Sequence, residues 1–164
     1  MDVMGGEEVF ASKLDSLFET GHYWHGNEPS HQITYLYDYT SQAWKTQKYV
    51  RETMKSQYSA APDGLAGNDD AGQMSAWYIF SALGFYPVCP GTNEYAIGSP
   101  SFKKAVIHLP SGQDFTILAP NTSDENIYIK KAKINGREYN GNFIKQEDIT
   151  NGATIEFEMT NKPN

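Results

Sequence analysis

The sequence predicts an α+β chain: helices to about residue 87, then a small antiparallel β-sheet or sandwich unit over residues 88–164. Three observations carry this. Up to Leu83 the apolar residues recur at helical spacing. From Pro87 onward, Pro- and Gly-rich punctuation separates short runs that alternate or are β-branched. Asn135-Gly136 lies between two such runs and is the dipeptide of a two-residue hairpin turn, where both positions need positive φ.

The elements follow in order. Phe10, Leu14, Leu17 and Phe18 fall at i, i+4, i+7 and i+8, one apolar stripe that Gly21 stops. Pro29 suits the first turn of a short helix carrying Ile33, Leu36 and Tyr37. Ala43, Gln47, Val50 and Met54 share one face of a longer helix, with Ser41 as its expected N-cap. Ala60-Ala61-Pro62-Asp63-Gly64-Leu65 is a turn by composition. Gln73 to Leu83 forms an apolar helix closed by Gly84, with Pro87 beyond it. Ala105–Leu109, Phe115–Leu118, Ile127–Ile129 and Thr154–Met159 read as antiparallel strands. Amphipathic helices need partners for their apolar faces, so three or four of them make half of a helical architecture at most. Either they pack on their own sheet or they end a larger helical barrel; the abrupt start at Met4-Gly5-Gly6 favours the barrel. In that case the Phe10, Leu14, Leu17 and Phe18 stripe is expected to lie open and to promote self-association.

Composition narrows the function classes. The 164 residues suffice for one domain, or for a small domain and part of another. The net charge of -7 and the lack of a basic stripe argue against nucleic acid. No apolar run reaches membrane-spanning length. Cys89 is the only cysteine, so no intrachain disulfide forms, which fits the cytoplasm and a bridge-free periplasmic protein alike. The first residues lack the basic and apolar regions of a signal peptide. The 11 Tyr are a surplus of rings that either fill the core or line a sugar cleft.

Two motifs carry the chemistry: Gly26-Asn27-Glu28-Pro29-Ser30-His31, and Gly67-Asn68-Asp69-Asp70-Ala71-Gly72-Gln73-Met74-Ser75-Ala76-Trp77. Each sets carboxylates and amides at the mouth of a helix, and each has aromatics beside it. Glycoside cleavage needs acids to move protons and rings to stack on the pyranose. Structural readings compete. Asp70-x-x-Gln73 resembles a capping box, with Asp69 able to cap one residue earlier. The two readings are compatible, because a helix N-terminus holds a carboxylate ionised, as a general base must be. Asn27 can cap a helix with Pro29 in its first turn, while the oxygens of Asn27, Glu28 and Ser30 also suit a hard cation such as calcium. His25 and His31 flank the first motif as catalysts or as hydrogen-bonding residues. No Ser-His-Asp arrangement, Cys/His cluster or phosphate loop is present.

As a set, these two motifs together with Tyr78 and Leu83-Gly84-Phe85-Tyr86-Pro87-Val88 resemble the glycoside hydrolase family 92 α-mannosidases. Pro90-Gly91, Gly98-Ser99-Pro100 and Phe102-Lys103-Lys104 match the end of that family, so the resemblance covers nearly the whole chain. It implies an exo-acting, inverting, calcium-dependent enzyme that trims mannose-containing glycans, with α-1,2 linkages expected. It implies that residues 1–87 are the last helices of an (α/α)6 catalytic barrel and 88–164 the C-terminal β unit. Family members are several times longer. The chain is therefore expected to pair with the N-terminal remainder of the same enzyme, in the periplasm or outside the cell. The implied general base is Asp70. Asn68 stands where some members carry a second loop acid, and Asp69 is the candidate to compensate. Trp24, His25, Glu28, His31 and Trp77 are expected at the substrate and Asn27 and Glu28 at calcium, with the general acid outside these residues. Two other readings remain: a non-catalytic carbohydrate-binding or structural module, and a glucosidase or phosphorylase built on another helical barrel.

Overall fold

A computed structural model describes residues 1–164. Three main helices, α1 (Glu7–Glu19), α2 (Trp44–Ser56) and α3 (Gln73–Leu83), precede eight strands and a short helix. The expected change from helix to sheet falls where the periodicity changes.

The α1 stripe is covered, contrary to expectation. Leu14 is buried, and Phe10 and Phe18 pack with it against Tyr37, Tyr49, Ile33 and Leu36. Phe18 stacks on Tyr49 with centroids 3.9 Å apart. The cover comes from residues Ile33–Tyr39, which form a 3-10 rather than an α-helical segment, and from α2. Asp15 pins the contact by accepting from Lys45 Nζ at 2.7 Å and Tyr37 Oη at 2.9 Å. The large apolar side chains left exposed lie elsewhere, at Val3, Val9, Trp24, Tyr78 and Ile79 among others.

Ser41 is not the N-cap of α2. Ala43 holds that position without a side-chain bond, and the Ser41 amide donates to the Glu7 carboxylate at 2.5 Å. Thr40 ties the turn instead: its hydroxyl accepts from the Gln42 amide and donates to the Tyr37 carbonyl. α3 ends as expected at Gly84, whose φ of 100° satisfies the left-handed C-terminal turn.

The strands are β1 (Phe85–Tyr86), β2 (Glu94–Ile97), β3 (Lys104–His108), β4 (Asp114–Leu118), β5 (Tyr128–Ile134), β6 (Arg137–Tyr139), β7 (Phe143–Lys145) and β8 (Thr154–Thr160), with the short helix α4 (Gln146–Thr150) between the last two. They form a three-stranded sheet, β1-β2-β7, and a five-stranded sheet, β3-β4-β8-β5-β6. The Asn135-Gly136 turn closes the β5–β6 hairpin with φ of 51° and 76°. One pairing departs from the expected antiparallel pattern. β8 returns beside β4 in parallel, after a connection through β5–β7 and α4.

Two cores meet at α3. Phe80 and Leu83 pack against the sheet core of Phe85, Ile97, Phe115, Ile155 and Phe157, while Trp77 and Ala82 enter the helical core with Tyr35, Val50, Met54, Tyr86 and Ala96. Packing is thus continuous across residue 88. Polar clamps add to it: Gln47 of α2 accepts from the Ile129 amide at 2.8 Å, and Arg51 donates to Ser101 and to the Ser123 carbonyl.

Candidate active site

The two sequence motifs, some forty residues apart in the chain, touch through their glycines. A Cβ on Gly67 would lie 2.0 Å from the Gly26 carbonyl oxygen. A Cβ on Gly26 would lie 2.5 Å from the Trp24 ring and 2.8 Å from the Ala66 carbonyl oxygen. Only residues without a side chain allow this crossing. It sets Trp24, Asn27 and Glu28 beside the Asn68–Asp70 loop.

Behind the crossing stands a buried aromatic wall. Tyr58 Oη lies 2.7 Å from His25 Nε2 and donates to the Met74 carbonyl at 3.0 Å. Tyr23 Oη lies 2.7 Å from His25 Nδ1 and 3.3 Å from the Ser30 carbonyl. Burial, helped by the neighbouring His31, pulls the His25 pKa down to about 3 and keeps the ring neutral. His31 Nε2 donates to the His25 carbonyl at 3.1 Å, and the His31 carbonyl accepts from Trp77 Nε1 at 2.8 Å. Trp77 packs edge-on to His25 and parallel to Tyr58. His25, His31 and Trp77 each have no exposed surface. Both nitrogens of His25 have partners and the Trp77 faces are covered, so the expectation that these three residues meet a sugar finds no open surface on any of them in this chain.

His31 also reports on the meeting of the motifs. Burial lowers its pKa, while the bond to the His25 carbonyl and the carboxylates of Glu28 and Asp70 oppose that. One acid from each motif therefore acts on the same imidazole. Its Nδ1 is buried without a partner.

In front of the wall, Trp24 is 55% exposed and Asn27, Glu28, Asn68 and Asp70 are exposed. Glu28 opens the 3-10 turn Glu28–Ser30, with Pro29 in its first turn as expected and no capping bond from Asn27. The capping reading of the second motif falls to Asp69, not Asp70. α3 starts at Gln73, its N-cap is Gly72, and Asp69 Oδ1 accepts from the Ser75 amide at 2.9 Å and the Ser75 hydroxyl at 3.0 Å. Asp70 and Ala71 take left-handed φ values of 45° and 59°, followed by Gly72 at 96°. Such a run is uncommon for side-chain-bearing residues and, where it occurs, is held by its surroundings.

No three His, Cys, Asp or Glu side chains lie close enough together to hold a metal ion. Calcium takes roughly 6–8 oxygen ligands. Asn27 and Glu28 offer exposed oxygens of the right hardness for such a shell.

Sequence reasoning missed three participants. Tyr58 links His25 to α3 but lies in no motif, and nothing local marks it. Tyr23 stands next to the first motif yet read only as an adjacent ring. Ser75, inside the second motif, read as a helix residue rather than as the partner of Asp69. The glycine that opens each motif was the available sign that the backbones approach closely.

The family model described as the glycosyl hydrolase family 92 catalytic domain matches residues 1–161. An uncharacterized secreted glycosidase of Arthroderma benhamiae is 34% identical over 162 residues, covering 97% of this chain and 21% of that protein. A family GH92 α-mannosidase structure from Bacteroides thetaiotaomicron is 43% identical with a TM-score of 0.92, covering 97% of this chain and 22% of that one. A family GH92 inverting mannosidase from the same organism is 40% identical with a TM-score of 0.92, covering 99% and 25%. The chain thus spans about a fifth to a quarter of the length of these relatives.

Proposed function

The chain belongs to glycosyl hydrolase family 92, and from that membership we propose that it supplies the general-base side of an inverting, exo-acting α-mannosidase site for mannose-containing glycans, with α-1,2 linkages as the first substrate class to try. The observation that carries this reading is the division of labour in the Asn68–Asp70 loop. Asp69 is committed to Ser75, while Asp70 is exposed beside the aromatic and amide groups of the first motif.

In this reading Asp70 accepts the proton of a water that attacks the anomeric carbon on the face opposite the leaving group. The acid that protonates the leaving oxygen comes from outside these residues, with roughly 6.5–9.5 Å between the two carboxyl groups. Trp24 stacks on a pyranose face. Asn27 and Glu28 bind sugar hydroxyls, or contribute two oxygens to a calcium shell completed by other donors; such an ion would hold and polarise sugar hydroxyls. Asn68 carries an amide and cannot serve as an acid or a base. The fungal relative is named a secreted glycosidase, which supports a site of action in the periplasm or outside the cell.

The test is turnover of an aryl α-mannoside by the complete enzyme and its Asp70→Asn variant. A loss of roughly 10²–10⁴-fold in kcat with retained sugar binding is expected. Near-normal turnover by the folded variant overturns the base assignment. A second reading, carbohydrate binding without turnover, is favoured for the chain by itself, because it spans about a fifth to a quarter of its relatives. Its 164 residues alone are expected to hydrolyse no aryl α-mannoside, even with calcium added. Turnover by the pure chain would place the acid within it, with Glu28 the first residue to replace.

A further inference from the structure

At the second motif the sequence and the structure disagree about which aspartate caps α3, and the disagreement has a physical meaning. Asp70-x-x-Gln73 has the spacing of a capping box, so a free choice would let Asp70 fold onto the helix N-terminus. It does not. The N-cap position belongs to Gly72, which has no side chain to offer. The Ser75 amide is satisfied from further back, by Asp69 Oδ1, which also takes the Ser75 hydroxyl. The Asp69 carbonyl accepts from the Gly72 and Met74 amides at 3.1 and 3.2 Å. Asp69 therefore closes a ring around residues 70–72, and a ring of that size is closed by running those three residues left-handed. At the other end of the loop, Gly67 is fixed against Gly26.

We infer that Asp69 is a positioning residue: its paired hydrogen bonds with Ser75 hold Asp70 off the helix N-terminus and keep the Asp70 carboxylate available to the site. This rests on the reading of Asp70 as the base. The competing state is the one that the local sequence favours, with Asp70 capping α3 and the left-handed strain at Asp70 and Ala71 released. The Asp69–Ser75 clamp selects against it. In this account Asp69 does not replace the acid missing at Asn68, because its carboxylate is already occupied in the fold.

The experiment is carried out on the 164-residue chain by NMR. The one-bond Cα–Hα couplings at Asp70 and Ala71 separate positive from negative φ. Asp69→Ala is expected to lose positive φ at both residues, as Asp70 moves into the capping position. Asp69→Asn keeps an acceptor oxygen and is expected to retain the wild-type couplings. Ser75→Ala, which removes only the hydroxyl half of the clamp, is expected to give couplings averaged between the two states. It keeps the proposal testable if Asp69→Ala does not fold. Wild-type couplings in every folded variant overturn the clamp, leaving Asp69 as an ordinary cap whose loss lowers thermal stability alone. Turnover plays no part in this readout. Normal turnover by Asp70→Asn would refute the base while leaving the coupling result intact, so the two failures are distinguishable.

Discussion

Gly67 presses its α-carbon against the Gly26 carbonyl, so closely that an added Cβ would stand 2.0 Å from that oxygen. The clash is with backbone and cannot be relieved by turning a side chain. Gly67→Ala is expected to force the two motif loops apart, at a cost of roughly 1–3 kcal/mol. Gly91 has open space around it and no positive φ, so Gly91→Ala serves as the control. Urea unfolding of the two variants checks this: equal midpoints would mean that the loops are not in contact in solution.

Ala71 has a φ of 59°, where a Cβ meets the following carbonyl. Ala71→Gly removes a left-handed penalty of roughly 1–2 kcal/mol at a chain-entropy cost of roughly 0.5–1 kcal/mol. A net gain of about 0–1.5 kcal/mol is expected from that difference. A lower melting temperature for the glycine variant would show that residue 71 is not left-handed.

Two buried groups titrate in opposite senses. Burial depresses His25 to about 3, so the neutral ring stabilises the fold fully above its ordinary pKa of about 6.5. That contribution is lost as pH falls from there toward 3. Asp38 is buried among groups that leave both of its oxygens without a partner, and burial raises its pKa. Its contribution is fully present below the ordinary aspartate pKa of about 3.9 and is lost as pH rises through the raised value. Each group gives a slope of about 1.4 kcal/mol per pH unit inside its window, and the two oppose each other from about 4 upward over the interval where the windows overlap. Asp38→Asn is expected to remove the falling limb, leaving stability that rises with pH across that interval. Denaturant unfolding at several pH values measures it, and parallel profiles for the variant and the parent would contradict the assignment.

Trp77 and Trp24 are both motif aromatics with opposite expectations. Trp77 has no exposed surface and donates to the His31 carbonyl, so Trp77→Ala is expected to cost roughly 3–5 kcal/mol. Trp24 is 55% exposed, so Trp24→Ala is expected to change stability by about 0.5 kcal/mol or less while weakening mannoside binding. Unfolding curves alongside titration with a methyl mannoside separate the two. A stability loss at Trp24 as large as at Trp77 would remove its role as a sugar platform.

Local pattern alone determined the helix-to-sheet order, the Gly84 stop and the Asn135-Gly136 hairpin, because each depends on spacing or on φ preferences within a few residues. The same pattern marked both motifs as chemically unusual. It could not rank the aspartates, because Asp69 and Asp70 are equally placed to cap until the path of the loop is known. Nor could it separate Trp24 from Trp77, or His25 from a ligand, since exposure depends on Tyr58, Tyr86 and the residues around them. Tertiary structure decided those roles by bringing Gly67 onto Gly26, closing Asp69 onto Ser75 and burying the rings behind the crossing. The glycine crossing and the buried rings join residues distant in the chain, while Asp69 and Ser75 are six residues apart, and what settles all three is backbone clearance, burial and hydrogen-bond satisfaction, which the local pattern does not encode.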